Sequence, residues 1–204
     1  MKRGLFIVIE GIDGSGKTVQ AERLTRFLKS PAMRNRLKKR DVVLTAEPTE
    51  SPVGALIEKM LTHAWEVDVR TRQLLFSADR SYHLATKIMP SLKQGNIVIS
   101  ARYFFSTIAY GGVALSIPWL RAVSSQFPVP DIIFFIDLSP KVAMKRIKIR
   151  RNNRTLFEKE RFLAKVRANY KNMFRRFPNA YTVDGDQAVE AVFSDIVNVM
   201  EKKL

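Results

Sequence analysis

The sequence has no cysteine and only two histidines among 204 residues. Without thiols there is no disulfide framework, no thiolate metal centre and no cysteine nucleophile, and two imidazoles leave little for a histidine-rich metal site. Acidic side chains are also scarce, with 19 Asp and Glu against 35 Lys and Arg and a formal net charge of +16. A surplus of that size predicts an anionic partner without choosing among nucleotides, nucleic acid and other polyanions. No apolar run approaches the ~20 residues of a membrane span. Met1-Lys2-Arg3-Gly4 leads directly into an apolar strand whose far end carries a phosphate-binding motif, so it does not read as a cleavable signal. The expectation is one cytoplasmic domain with no membrane role.

What is present alternates regularly. Short β-branched or aromatic runs occur at residues 5–9, 42–45, 96–100, 132–137 and 180–183, separated by helical patterns. The run Ile132-Ile133-Phe134-Phe135-Ile136 is apolar on both faces, as a strand of a parallel sheet covered on both sides must be. This predicts a doubly wound α/β fold. Thr155-Leu156-Phe157-Glu158 reads as a capping box opening a helix with apolar positions at Leu163, Val166, Tyr170, Met173, Phe174 and Phe177. Val189, Val192, Phe193, Ile196, Val199 and Met200 form a similar stripe on the last helix. Pro31 interrupts the first helix, which spans residues 17–28.

Gly11-Ile12-Asp13-Gly14-Ser15-Gly16-Lys17-Thr18 sits between the first strand and that helix. This is the setting of a P-loop: glycines let consecutive N–H groups turn inward around phosphates, and the helix N-terminus adds its positive end. Lys17 is placed to reach the β- and γ-phosphates of ATP, and the Thr18 hydroxyl to join Mg²⁺. At glycine's usual ~7% frequency the pattern arises by chance in roughly one chain of this length per hundred. Asp13 is unfavourable beside a polyphosphate unless it faces another ligand, which hints at a second substrate. Two basic clusters, residues 34–40 (RNRLKKR) and 145–154 (KRIKIRRNNR), add to the charge. A solvated helix face explains the first adequately.

Further segments resemble the thymidylate kinase family over nearly the whole chain. Residues 6–18 look like its strand and P-loop, and Leu44-Thr45-Ala46-Glu47-Pro48-Thr49 is similar to its L-T-R-E-P-x segment. Leu74-Leu75-Phe76-Ser77-Ala78-Asp79-Arg80 is similar to its L-L-F-x-A-x-R helix. Ser100-Ala101-Arg102-Tyr103 with Ser106, Ala109 and Tyr110 is similar to its D-R-Y-x-x-S-x-x-A-Y stretch, and Phe157-Glu158 onward to the helix after its lid.

The resemblance implies a five-stranded parallel sheet of order 2-3-1-4-5, a homodimer, and transfer of the γ-phosphoryl of ATP to dTMP with Mg²⁺. Phe76 would stack on thymine, Arg80 donate to a base carbonyl, Asp13 accept from the 3′-hydroxyl and Tyr110 crowd the 2′ position. Arg102 would bridge the two phosphates, with Glu47, Pro48, Ser106 and Thr107 completing the acceptor site. Arg150, Arg151 and Arg154 would lie on a lid over ATP, a role that gives the second basic cluster its purpose. Outside the motif, Phe76 and Tyr110 read as core aromatics and Arg80 as a surface ion-pair partner. Asp137 reads either as a metal carboxylate or as an N-cap beside Ser139-Pro140.

Two positions depart from the pattern. Ala46 stands where the family has an arginine directed at the monophosphate, and Ala101 where it has an aspartate holding a Mg²⁺-bound water. A compensated enzyme and a weakened one both accommodate these losses. So the residues also admit a nucleotide-binding protein that uses its charge on nucleic acid, without expected sequence specificity, or a kinase acting on dUMP or another pyrimidine nucleotide.

Overall fold

A computed structural model describes residues 3–38, 40–147 and 153–204, with side chains omitted for residues 153–157. Strand β1, Leu5–Gly11, is followed by α1, Lys17–Leu28, and α2, Pro31–Arg36; β2, Val42–Ala46, leads to α3, Pro52–Leu61, and α4, Val69–His83. A single π turn, Leu84–Ile88, joins α4 to α5, Met89–Lys93. Pro90 supplies no N–H at this junction, and a widened turn is a usual way for a helix to absorb that loss. Then come β3, Ile97–Ala101, α6, Phe104–Gly111, α7, Ile117–Ser124, β4, Ile132–Asp137, α8, Pro140–Arg146, α9, Asn153–Phe174, β5, Ala180–Asp184, and α10, Val189–Lys203.

The five strands are all parallel in the order β2-β3-β1-β4-β5, so β1 is central and its P-loop opens at the carboxyl edge of the sheet. Alternate residues of each strand feed two cores. Phe6, Val8, Val98, Ile133 and Phe135 face α6 and α9, while Ile7, Ile9, Ile99, Phe134 and Ile136 face α1 and α10. Each fully buried side chain of this size contributes about 1.5–3 kcal/mol, which is why β4 tolerates no polar residue before Asp137. The helical stripes pack as their spacing predicts: Leu163, Val166 and Tyr170 on α9 are fully buried, as are Ile196 and Met200 on α10, whereas Val189 remains exposed.

One local expectation needs correction and two gain detail. Helix α9 begins at Asn153, so Thr155 lies inside the first turn and does not cap it; Asn153 and Arg154 hold no helix breaker, and the helix runs upstream through them. Pro31 does end α1, but it also starts α2, as the first residue after the Ser30 cap, whose Oγ accepts from Met33 N. The basic stretch at residues 34–40 is therefore partly helical. It sits at the amino edge of the sheet, where Arg36 donates to Glu201 O at 3.0 Å and Arg40 to Arg3 O at 3.0 Å.

Candidate active site

The P-loop turns on glycines at positive φ: Gly11 at 152°, Gly14 at 80° and Gly16, the residue capping α1, at 87°. A side chain at any of the three would be strained. Ile12 is fixed in the core and Ser15 is buried beneath the loop. Lys17 is itself buried, donating to Gly11 O at 2.9 Å and Ile12 O at 2.8 Å. Burial, reinforced by the Arg102 charge, lowers its pKa to about 7. In this state the ammonium is satisfied by the loop's own carbonyls, and an incoming phosphate would replace them. Thr18, by contrast, is exposed at the start of α1.

Next to the P-loop lies a cavity of about 430 Å³ bordered by Asp13, Glu47, Phe76, Arg80, Arg102 and Tyr110. Pro48, Ser106 and Thr107 also border it, so the structure brings together all nine acceptor-site residues expected from the sequence. They arrive from the P-loop after β1, the β2–α3 loop, α4 and the β3–α6 region. Arg102 adopts φ 73°, an uncommon conformation for a residue with a Cβ. It is held there because its N–H donates to Ile9 O at 3.0 Å and its carbonyl accepts from Ser100 Oγ at 2.8 Å. The turn aims the guanidinium back across β1, where it pairs with Asp13 and lies 5.5 Å from the Tyr110 ring centre. Burial alone would raise the Asp13 pKa; the Arg102 and Lys17 charges overcome it and hold the carboxyl below its ordinary value.

Arg80 is a core residue with a 2% exposed side chain, not a surface partner. Its Nε donates to Glu47 Oε2 at 2.8 Å and Nη1 to Thr107 Oγ1 at 3.2 Å, while Nη2 is ion-paired with the same carboxylate oxygen at 2.6 Å. The Tyr103 and Phe127 rings stand 5.5 and 5.3 Å from the guanidinium. Glu47 Oε1 lies 3.2 Å from His83 Nδ1, and His83 Nε2 is 2.7 Å from Thr45 Oγ1. Asp79, the adjacent α4 residue, accepts from Thr49 N at 2.8 Å and Ser51 Oγ at 2.8 Å. Consecutive residues of α4 thus clamp the β2–α3 loop from two sides.

Two residues at this site escape motif reasoning. Glu10 is fully buried at the end of β1, where its carboxylate accepts from Tyr103 N at 2.8 Å, Ser106 Oγ at 2.8 Å and Tyr170 OH at 2.9 Å. Burial raises its pKa despite these bonds and the nearby Arg102 charge. A lone carboxylate in an otherwise apolar strand was its signal. The second is Gln73, one turn before Phe76 on α4 and 3% exposed. Asp137 is neither a free metal carboxylate nor a cap: Arg167 Nη2 and Lys171 Nζ donate to its Oδ2 at 3.1 and 3.2 Å, and Ser139 occupies the cap position of α8. Arg150 and Arg151 fall outside the described residues; Arg154 lies on α9 and its side chain is not described.

A five-stranded parallel sheet of this order, with a P-loop on its central strand and a second cavity reached by an arginine from the neighbouring strand, is the fold of P-loop nucleoside monophosphate kinases. Comparison with known proteins narrows the class. The family described as thymidylate kinase matches residues 9–196. A probable thymidylate kinase of Thermococcus onnurineus is 41% identical over 98% of both chains, and one from Pyrococcus horikoshii is 38% identical over 99% of this chain and 98% of its own. The crystal structure of thymidylate kinase from Ehrlichia chaffeensis superposes with a TM-score of 0.76 at 26% identity, covering 97% of this chain and 99% of that one. The chain belongs to the thymidylate kinase family.

Proposed function

We propose that this protein transfers the γ-phosphoryl group of ATP to dTMP, giving dTDP and ADP. The observation that carries this reading is the adjacency of two sites across Arg102: a P-loop whose buried Lys17 awaits a phosphate, and a cavity lined for a nucleoside monophosphate. Lys17 and the inward N–H groups of the loop hold the donor phosphates. Arg80 and Phe76 hold the base, and Arg102 leaves Asp13 to meet acceptor and transferred phosphates, which frees the Asp13 carboxylate for the 3′-hydroxyl. The acceptor is already an anion and needs no strong base, so catalysis consists of alignment and charge neutralisation. Lid arginines among Arg150, Arg151 and Arg154 complete the neutralisation and exclude water.

Magnesium held chiefly by substrate phosphates needs no protein cage. The described residues contain no group of three His, Cys, Asp or Glu suited to a metal, while the exposed Thr18 hydroxyl fits a single inner contact. When bound, the ion would neutralise charge shared between the β- and γ-phosphates.

A homodimer is supported by exposed apolar side chains on and around α3 and α4 that border neither cavity, Leu56, Trp65 and Leu74, which are 40% to 46% exposed. Light scattering should therefore return about twice the 23.4 kDa chain mass. No helix among the described residues is long and apolar enough to cross a membrane. Coupled ADP release measured across nucleoside monophosphates tests the acceptor: dTMP should exceed dCMP, dAMP and dGMP by orders of magnitude, and equal rates with all would reject the reading. Including dUMP in the panel measures how far the 5-methyl group matters.

A further inference from the structure

Helix α4 presents Gln73, Phe76 and Arg80 at positions i, i+3 and i+7, so all three lie on one face. All three border the acceptor cavity. Phe76 and Arg80 have roles above; Gln73 has none. Its main-chain carbonyl accepts from Ser77 Oγ at 2.9 Å, whereas its side-chain amide, in a residue only 3% exposed, has no hydrogen-bond partner among the described residues. The amide is not among the wholly enclosed atoms that lack a partner, so at the cavity wall its two donors and one acceptor remain open to whatever fills the cavity. The neighbouring helix makes room for it. A Cβ on Gly111 of α6 would stand 3.0 Å from both Cγ and Cδ of Gln73, so the glycine is what lets the amide lie there at the cavity wall.

We infer that Gln73 is a specificity-determining residue that reads the Watson–Crick edge of the acceptor base together with Arg80. Resting on the dTMP reading above, the inference supplies its missing half. Of the five N–H donors of Arg80, two are spent in hydrogen bonds to Glu47 and Thr107, and Nη2 pairs with Glu47 by charge, which leaves N–H groups on both terminal nitrogens for a base carbonyl. Thymine and uracil carry a carbonyl at C4 and a hydrogen on N3. With Arg80 on the C4 oxygen, the Gln73 carbonyl accepts from N3–H, and its NH₂ remains for a second base oxygen. Cytosine reverses both groups, placing an amine where Arg80 also donates. A carboxamide alone could flip to suit either base; the arginine, locked by Glu47, fixes which face of the amide is used. The division of labour follows: Phe76 grips any base, Arg80 selects the 4-carbonyl, and Gln73 verifies N3–H.

The test crosses a residue change with a substrate change. Gln73→Met keeps the bulk beside Gly111 but removes the hydrogen bonds, and N3-methyl-dTMP removes the donor from the base. In the unaltered protein kcat/KM for dTMP should exceed that for the N3-methyl analogue by 10²-fold or more, on the order expected when a polar site rejects an analogue it cannot pair with. In Gln73→Met, dTMP should lose about 10- to 100-fold, mostly through KM, with the ATP KM unchanged and the preference over the analogue reduced by a similar factor. Gln73→Ala, with ordered folding checked by its melting curve, should give the same collapse of preference if the methionine is poorly tolerated. An unchanged dTMP-to-analogue ratio in both variants would overturn the role of Gln73 while leaving the kinase reading intact. No dTMP turnover by the unaltered protein would remove the acceptor assignment itself, and the inference with it.

Discussion

Two cavities of about 430 Å³ each meet at Pro48, and their walls differ. The acceptor cavity is edged by paired charges, with Arg80 locked on Glu47 and Arg102 on Asp13. The other opens beside Thr18 and is lined where β2 and β3 end by Ala46 and Ala101, directly paired partners in the sheet. Where one site is built of guanidinium and carboxylate, the other has two methyl groups, with Lys87 and Glu50 at exposed positions on its wall. The comparison teaches that charged side chains are kept around one cavity while the wall where β2 and β3 end has lost two: the arginine the family directs at the monophosphate, at Ala46, and the aspartate it uses for a Mg²⁺-bound water, at Ala101. Slow turnover is the expected signature.

The largest effect should come from the P-loop, whose Asp13 borders one cavity while Thr18 beside it borders the other. Lys17→Ala should lower phosphoryl transfer by about 10³-fold or more, since one preorganised charge at the transferring group is worth that much. The fold should survive, because the change removes a buried ammonium that burial already disfavours. Steady-state rates and a melting curve check both halves; wild-type turnover would remove the P-loop from the mechanism.

Next in size, Phe76→Ala should raise the dTMP KM about 10- to 100-fold, from a base stack worth about 1–3 kcal/mol, with the ATP KM unchanged. Phe76 is the cleaner probe of this wall. Arg80→Ala would also strand Glu47 in the core, at a cost in stability of about 3–5 kcal/mol that blurs any kinetic reading. If the ATP KM rises equally in Phe76→Ala, the two sites are not separate.

The trimmed wall is sharpened by restoring it. Ala101→Asp should raise kcat at limiting Mg²⁺, by up to about tenfold to a hundredfold if the carboxylate gains a charge-assisted bond of about 1.5–3 kcal/mol, and less at saturating Mg²⁺. Glu47 and Asp137 are committed to Arg80 and Arg167, and Asp13, once Arg102 leaves it, is taken by the 3′-hydroxyl, so none is a ready substitute. Glu50 is the remaining carboxylate on that wall. An unchanged Mg²⁺ dependence in the variant would point to it.

The smallest effect concerns protons. In the free protein the Lys17 pKa is lowered to about 7, so near pH 8 most of the population is neutral there, and a bound polyphosphate should recharge it. Calorimetry of ATP binding in buffers of different ionisation enthalpy should then show proton uptake near pH 8 that fades below about pH 6. By the same linkage, the unfolded chain carries a proton on Lys17 that the folded chain lacks between about pH 7 and its ordinary value of 10.5. This residue therefore makes stability rise with pH across that window. Absence of uptake at pH 8 would mean the lysine is charged before ATP arrives.

Legibility followed locality. The P-loop, the five strands and the stripe on α9 depend on neighbours within a turn or a strand, and residue type alone shows them. The Thr45–His83–Glu47–Arg80 chain depends on α4 crossing the end of β2, and the motif names its members without joining them. Nothing local marks Gln73, because its place is set by the glycine of another helix. Glu10 was visible as a charge in an apolar strand, but its partners lie 93 to 160 residues away.

The central claim is a transfer between two adjoining sites, and tracing the phosphoryl group tests it most directly. With ATP labelled at the γ-phosphorus and dTMP present, the label should appear in the β-phosphate of dTDP, one for each ADP released. ATP consumed with label only in inorganic phosphate, or no consumption that depends on dTMP, would contradict it.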